Sequence, residues 1–237
     1  MLHILMRCLI ISNRVDGSNN VMKLRYEFSN SKEISKTRSQ AYQDIFVLSV
    51  LNGKTNGSYL EIGAAAPEAF SNTYLLSTGF NWTGVSIDCM EAFQILWTTE
   101  RIHDKFILCD ALTVDYKQIL DENYNGQKIL DYLQCDIEPP EHTLTALKRL
   151  PHDEYRFKVI TFETDAYTGT AGINVRNESR QFLTNLGYEM IVGNVIVENV
   201  HPFEDWWVAP ELVDMAVANS IKLQAEHTQH PNELLFT

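Results

Sequence analysis

Seven carboxylates stand at the ends of short apolar runs: Glu61 in "YLEIG", Asp88 in "GVSID", Asp110 after "KFILC", Asp136 and Glu138 after "ILDYLQC", Glu163 and Asp165 in "FKVITFETD". An acid in such a place loses hydration on burial unless something polar meets it there. Asp88 lies 25 residues after Gly63, at a strand tip where a carboxylate accepts hydrogen bonds from both hydroxyls of a ribose. Its alternative task is to cap the helix that begins near Glu91. Asp136, Glu138, Glu163 and Asp165 offer oxygen ligands that suit magnesium or calcium, so a divalent metal is an expectation. Against it, Glu138 and Glu141 would serve simply to favour a helix amino terminus.

The loop "EIGAAAP" (61–67) holds one glycine. Gly63 permits close approach of backbone to a ligand, the alanines after it are poor candidates for positive φ, and Pro67 fixes one φ and removes a donor. A dinucleotide loop needs further glycines so that a pyrophosphate can sit on the helix terminus, which argues against an NAD-dependent oxidoreductase. No Ser or Cys sits on a G-x-S/C-x-G turn, so covalent hydrolysis has no nucleophile to use. Trp206 and Trp207 are expected to pack in the core or at a sheet edge, with a substrate-stacking wall as the alternative. His227 and His230 have a spacing that could bind metal on a helix, and such pairs also occur in polar chain ends.

Positioning these groups falls to alternating elements. "SYLEI" (58–62), "GVSID" (84–88), "KFILC" (105–109), "ILDYLQC" (129–135) and "FKVITFE" (157–163) have the composition of doubly covered parallel strands. Helices are expected near 70–78, 91–101, 115–122, 141–150 and 174–186, and one more in "SQAYQDIFVLSVLNG", with Ser39 as its cap and Gly53 as its stop. Repeated strand–helix alternation implies right-handed crossovers and an open α/β sheet, mostly parallel, with helices on both faces. "GYEMIVG" and "NVIVENV" follow each other too closely for a crossover and are expected to pair antiparallel as an edge hairpin. In such a sheet ligands bind beyond the carboxyl ends of the strands.

Acids outnumber bases 31 to 19 in the 237 residues, and a net charge of −12 argues against nucleic acid as the main partner. Residues 1–40 hold seven bases and three acids, so a basic arm precedes an acidic body. Residues 1–36 are expected to form an extension that packs loosely or adds a strand, and 37–237 the domain. Cys8, Cys89, Cys109 and Cys135 are widely spaced with no CxxC and are expected to be reduced, which suggests a cytoplasmic location. "MLHILMRCLI" is too short and interrupted for a signal peptide, and no stretch reaches the length of a membrane span.

Taken together, "SQAYQD" (39–44), "GSYLEIGA" (57–64), "SNTYLL" (71–76), "NWTGVSIDC" (81–89), "LDYLQCDIEPPE" (130–141), "KVITFETD" (158–165), "LGYEMI" (186–191) and "EDWWV" (204–208) resemble the FkbM-type family of S-adenosylmethionine-dependent methyltransferases. The likeness spans roughly residues 37–212. It implies a seven-stranded Rossmann-like class I methyltransferase fold and S-adenosylmethionine as cofactor. On this resemblance Gln43, Glu61, Gly63, Ala64 and Asn72 serve the cofactor with its methionine end near Glu61 and Gly63, Asp88 takes the ribose, Asp110 and Ala111 flank adenine, and Asp136 lies near the methyl donor. The implied reaction is O-methylation of a small-molecule or glycan acceptor: a sugar, a glycan or a hydroxylated natural product. Asp136, Glu138 and His142 are the candidates to accept the hydroxyl proton. Relatives resemble "GA-x-DG" and "D-x-EG" where this chain has Ala66, Pro67 and Pro139. These departures keep a non-catalytic binding scaffold as the alternative.

Overall fold

The structure is a computed structural model that describes residues 23–34, 36–197 and 201–237. The run 1–10, Cys8 and most of the basic arm lie outside the described residues. The chain order is α1 (Gln43–Val50), β1 (Ser58–Ile62), α2 (Tyr74–Phe80), β2 (Thr83–Asp88), α3 (Glu91–Glu100), β3 (Lys105–Leu108), α4 (Tyr116–Asn123) and β4 (Ile129–Cys135). It continues through α5 (Pro140–Arg149), β5 (Arg156–Glu163), α6 (Thr170–Asn185), β6 (Glu189–Val197), β7 (His201–Val208), α7 (Met215–Ala225) and α8 (Pro231–Leu235).

One seven-stranded sheet has the order β3-β2-β1-β4-β5-β7-β6. β1 to β5 pair in parallel, and β7 runs antiparallel between β5 and β6. This order and direction are those of the Rossmann-like class I methyltransferase fold, whose strand order reverses beside β1. Register aligns Tyr59, Tyr132 and Val159 on one face, and Leu60, Leu133, Ile160 and Trp207 on the other. Each face carries its own apolar cluster, the first covered by α1, α2, α7 and α8, the second by α4, α5 and α6. All eight residues of α1 are buried, as befits a helix apolar on nearly every side.

Two local expectations are corrected, and the expected core packing of Trp206 and Trp207 is found. "GYEMIVG" and "NVIVENV" are not two paired strands: residues 189–197 form one strand, β6, whose partner is β7, "HPFEDWWV". The Gly193-Asn194 pair that reads as a turn is a bulge instead, with Asn194 at φ 56° and its N–H donated to Asp205 Oδ1 at 2.7 Å. Ser39 does not cap α1; Tyr42 takes that position, and the Ser39 hydroxyl donates to Asp44 Oδ1 at 2.6 Å. Trp206 and Trp207 are core residues on opposite faces of β7, Trp206 stacking on Phe46 of α1 with centroids 4.5 Å apart, so neither forms a substrate wall. At the amino-terminal side, Leu24 bridges Phe236, and Leu24 and Phe28 are buried against the first cluster. No helix among the described residues is long and apolar enough to cross a membrane.

Candidate functional site

A cavity of ≈ 300 Å³ opens beyond the carboxyl ends of β1 to β4, in the place where open α/β sheets bind ligands. Glu61, Gly63 and Ala64 reach it from β1, Asn72 from the segment before α2, and Asp88 from the tip of β2. Asp110 and Ala111 line it after β3; Asp136, Glu138 and His142 line it after β4. Gln43 does not. Its side chain is buried at the start of α1, where Oε1 accepts the Ala41 N–H at 2.8 Å and the amide bonds Glu204. The neighbour three positions earlier, Gln40, lines the cavity instead, carried there by a parallel bridge between Ser39 and Phe70.

The β1 loop is held by atoms the sequence reading did not single out. Gly63 has φ +85°, and a Cβ there would stand 1.6 Å from the Asp136 carbonyl oxygen, so only glycine lets the loops after β1 and β4 close on each other. Ala65 takes φ +49°, against the expectation that these alanines avoid positive φ. Such a conformation costs an alanine on the order of 1 kcal/mol and persists where its surroundings fix it. Here both sides of the residue are clamped: its N–H donates to Asp88 Oδ2 at 2.9 Å, and its carbonyl accepts from Trp97 Nε1 at 2.9 Å. Trp97 lies under the guanidinium of Arg101, 4.4 Å from the ring centroid. Arg101, itself buried, donates to the Pro67 carbonyl at 3.1 Å, to Ser71 Oγ at 3.2 Å and to Thr73 Oγ1 at 3.1 Å. An arginine and a tryptophan on the far side of the loop thus do the holding that further glycines would make unnecessary.

Asp88 stands at the cavity and beside the start of α3, although Met90 holds the cap position of that helix. Its Oδ1 accepts the Met90 N–H at 2.9 Å, tethering the start of α3, while the carboxylate still lines the cavity. A carboxylate has about four acceptor sites, so two backbone donors leave room for a ligand hydroxyl. The wall beyond it is largely apolar, with Met90, Phe93, Ala111 and Leu112. Cys89 and Cys109 belong to the same wall, their thiols pushed up by burial and then by the charges of Asp88 and Asp110, respectively. They remain neutral at pH 7.

The inner end is polar. Glu61 is buried; its Oε2 accepts from Ser86 Oγ at 2.6 Å and Thr73 Oγ1 at 2.9 Å. Burial pushes its carboxyl above the usual range, against the opposing pull of Arg101's charge and these hydrogen bonds. Beside it, the carbonyl oxygens of Asn72 and Gln134 are buried without a partner. Gln134 was not singled out by the sequence reading, although its place in β4 opposite Glu61 is what alternation in a parallel strand would predict.

The β4 loop carries the candidate proton acceptors. Asp136 is half-buried, while Glu138 and His142 are exposed at the mouth, the turn being pinned by Thr143, whose hydroxyl donates to the Ile137 carbonyl at 2.5 Å. Glu163 and Asp165 are buried and do not line the cavity. Among the described residues no group of three or more His, Cys, Asp or Glu side chains is placed to hold a metal ion, so the expected divalent set of Asp136, Glu138, Glu163 and Asp165 does not gather into one cluster.

No family model matches the chain, and no curated protein matches it significantly. Solved structures do match. A protein of Clostridium thermocellum described as an rRNA methylase is 13% identical over 74% of this chain and 99% of its own, with a TM-score of 0.49. The fibrillarin pre-rRNA processing protein of Methanococcus jannaschii is 16% identical over 65% of this chain and 67% of its own, with a TM-score of 0.46. The human methyltransferase 10 domain containing protein is 12% identical over 74% and 85%, with a TM-score of 0.47. The fold assignment rests on the strand order and directions above, and these likenesses add nothing to it about reaction or acceptor.

Proposed function

We propose that the chain binds S-adenosylmethionine in this cavity and methylates an oxygen of a sugar, glycan or hydroxylated natural product, as the FkbM-type motifs suggest. The observation that carries the reading is the convergence of Glu61, Gly63, Asp88, Asp110 and Asp136, from four separate strand ends, on one cavity at the reversal of strand order. Its parts suit the cofactor: a carboxylate for ribose, an apolar wall for adenine, and a polar inner end with unpartnered amides for the amino-acid moiety. The bound sulfonium supplies a methyl group already reactive toward an oxygen nucleophile.

In this reading the protein aligns and deprotonates. Asp88 accepts hydrogen bonds from the ribose hydroxyls while its remaining sites keep Ala65 and the start of α3 in place. The acceptor enters over the β4 loop, where Asp136, Glu138 or His142 takes the hydroxyl proton as the oxygen loses it. Alignment of the two reacting atoms provides much of the acceleration. No Lys or Arg side chain lines the cavity among the described residues, which favours an uncharged acceptor over a phosphorylated one. The departures at Ala66, Pro67 and Pro139 leave the cavity open, which favours a working site over a bare scaffold.

Asp88→Ala tests the assignment. Loss of a charged hydrogen bond is expected to weaken S-adenosylhomocysteine binding by on the order of 1–3 kcal/mol in calorimetric titration. A variant that keeps its thermal transition and binds with unchanged affinity would remove the ribose role.

A further inference from the structure

We infer that Cys89 and Cys109, at the tips of β2 and β3, form a modification site: a dithiol that hydroperoxides oxidise to a disulfide, which weakens binding of an adenosyl ligand against the wall the two residues share. For that ligand the inference rests on the methyltransferase reading; the disulfide stands without it. Asp88 and Leu108 are the last register partners of β2 and β3, and the Cys109 N–H donates to the Asp88 carbonyl at 2.9 Å. The next residue of each strand is therefore a cysteine opposite a cysteine. Ile87 and Ile107, two positions earlier, both pack on the second apolar cluster, so alternation turns both thiols to that same side. Cys109 is half-buried against the cluster, Cys89 is exposed, both are free, and both line the cavity.

Neighbouring strands lie about 4.8 Å apart, inside the Cα separation of about 4.4–6.8 Å that a disulfide spans. β3 is four residues long and, as an edge strand, is paired on one side only, so its tip can adjust to the bond. Cys135 is no competitor, being buried on β4 with β1 between it and β2. Burial first, then the charges of Asp110, Cys89 and Asp88, push the Cys109 thiol up. Adjacent thiolates beside these carboxylates repel, and a disulfide, being uncharged, escapes that repulsion. The reduced pair gains none of the stabilisation that makes strongly oxidising dithiols easy to reduce. In the reaction, Cys89 as thiolate attacks one oxygen of a hydroperoxide; the O–O bond breaks, a sulfenic acid forms, and the other oxygen leaves with a proton. The Cys109 sulfur then attacks the sulfenic sulfur, the S–S bond forms, and the S–O bond breaks to release water. Two thiols lose two protons and two electrons, and one hydrogen peroxide becomes two waters. The bond draws the tip of β2, which carries Asp88 and Met90, toward that of β3, which leads into Asp110 and Ala111, and so reshapes the wall.

The full chain is treated with hydrogen peroxide, alkylated in denaturant for peptide mapping, and, in a parallel sample, titrated calorimetrically with S-adenosylhomocysteine before and after dithiothreitol. The mass should fall by two hydrogens, and mapping should join residue 89 to residue 109. The oxidised chain should bind S-adenosylhomocysteine about tenfold more weakly, with dithiothreitol restoring the affinity; by linkage, saturating ligand should disfavour the disulfide to the same extent. Peroxide should leave the affinities of Cys89→Ser and Cys109→Ser as they were before treatment, and oxidation of the wild-type chain should quicken as pH rises toward the raised thiols. The inference is overturned by thiols at 89 and 109 that both stay open to alkylation after peroxide, by pairing of either with Cys8 or Cys135 instead, or by a disulfide between them that leaves the affinity unchanged. An untreated chain that binds no adenosyl ligand counts against the methyltransferase reading, and the mapping then decides the dithiol alone.

Discussion

Three residues apart on β4, Asp131 and Gln134 sit at opposite ends of the same sheet and are treated in opposite ways. Asp131 is 1% exposed and fully met: Lys54 Nζ at 2.6 and 2.7 Å, Lys158 Nζ at 2.8 Å and the Ser58 N–H at 3.0 Å all reach its oxygens. Burial alone would raise its carboxyl, but the hydrogen bonds and charges of Lys158 and Lys54 outweigh it and hold the group below the usual range. At the carboxyl end, Gln134 lacks a partner for its carbonyl, and burial wins over Arg101 at Glu61. A buried acid surrounded by its own cations is a structural device, complete as it stands. A buried acid held only by two hydroxyls, beside amide oxygens without partners on the wall of a cavity, is left with acceptor capacity that the protein does not fill.

The contrast can be broken from either end. The largest effect is expected for Arg101→Met, which leaves Asp104 without its 2.6 Å partner and strips Pro67, Ser71 and Thr73 of a donor. Uncompensated buried charge makes this cost about 4 kcal/mol in denaturant unfolding, with a parallel loss of adenosyl-ligand affinity as the Pro67 carbonyl loses its donor and Trp97 the guanidinium packed on it. A fully stable variant would show that the clamp is not what holds the loop.

Asp131→Asn comes next, at about 2 kcal/mol, because the two lysines left behind are partly exposed and can turn to water. Ligand affinity should not change. In the wild-type chain this contribution is present above the unfolded-state value near pH 4 and is lost as pH falls through the lower folded value, so the variant's deficit should vanish on acidification. A deficit that persists at pH 2 would mean the charge is not its source.

The smallest effect sharpens the comparison. Glu61 is raised on folding, so its contribution is present below the unfolded-state value near 4.3 and declines as pH rises through the folded one. Glu61→Gln should therefore gain stability relative to wild type as pH rises from 4 to 8, opposite in sign to Asp131→Asn. Parallel pH profiles for the two variants would erase the distinction between the two ends.

How far the sequence reaches follows the same division. The strand–helix alternation, the bounds of β1 to β5 to within one residue and the ring of acids at the strand ends were legible because they rest on local periodicity and position. The β6 bulge was not, since Gly193-Asn194 carries the same local signal as a turn, and only Asp205 on β7 decides between them. Ser39 as cap failed for a similar reason, because the acid it serves, Asp44, lies inside the helix. The support beneath the β1 loop was hidden altogether. Nothing near Ala65 announces that Trp97 and Arg101, more than thirty residues later, make a left-handed alanine tenable. Gln134 was visible by register with Glu61, but a glutamine in a strand gives no sign that its amide goes unpaired.

Side-by-side calorimetric titration of the full wild-type chain with S-adenosylmethionine and NAD tests the central claim, that the cavity beyond β1 to β4 takes S-adenosylmethionine. The account predicts saturable one-to-one binding of S-adenosylmethionine and no heat from NAD; silence toward S-adenosylmethionine, or saturable binding of NAD in its place, would contradict it.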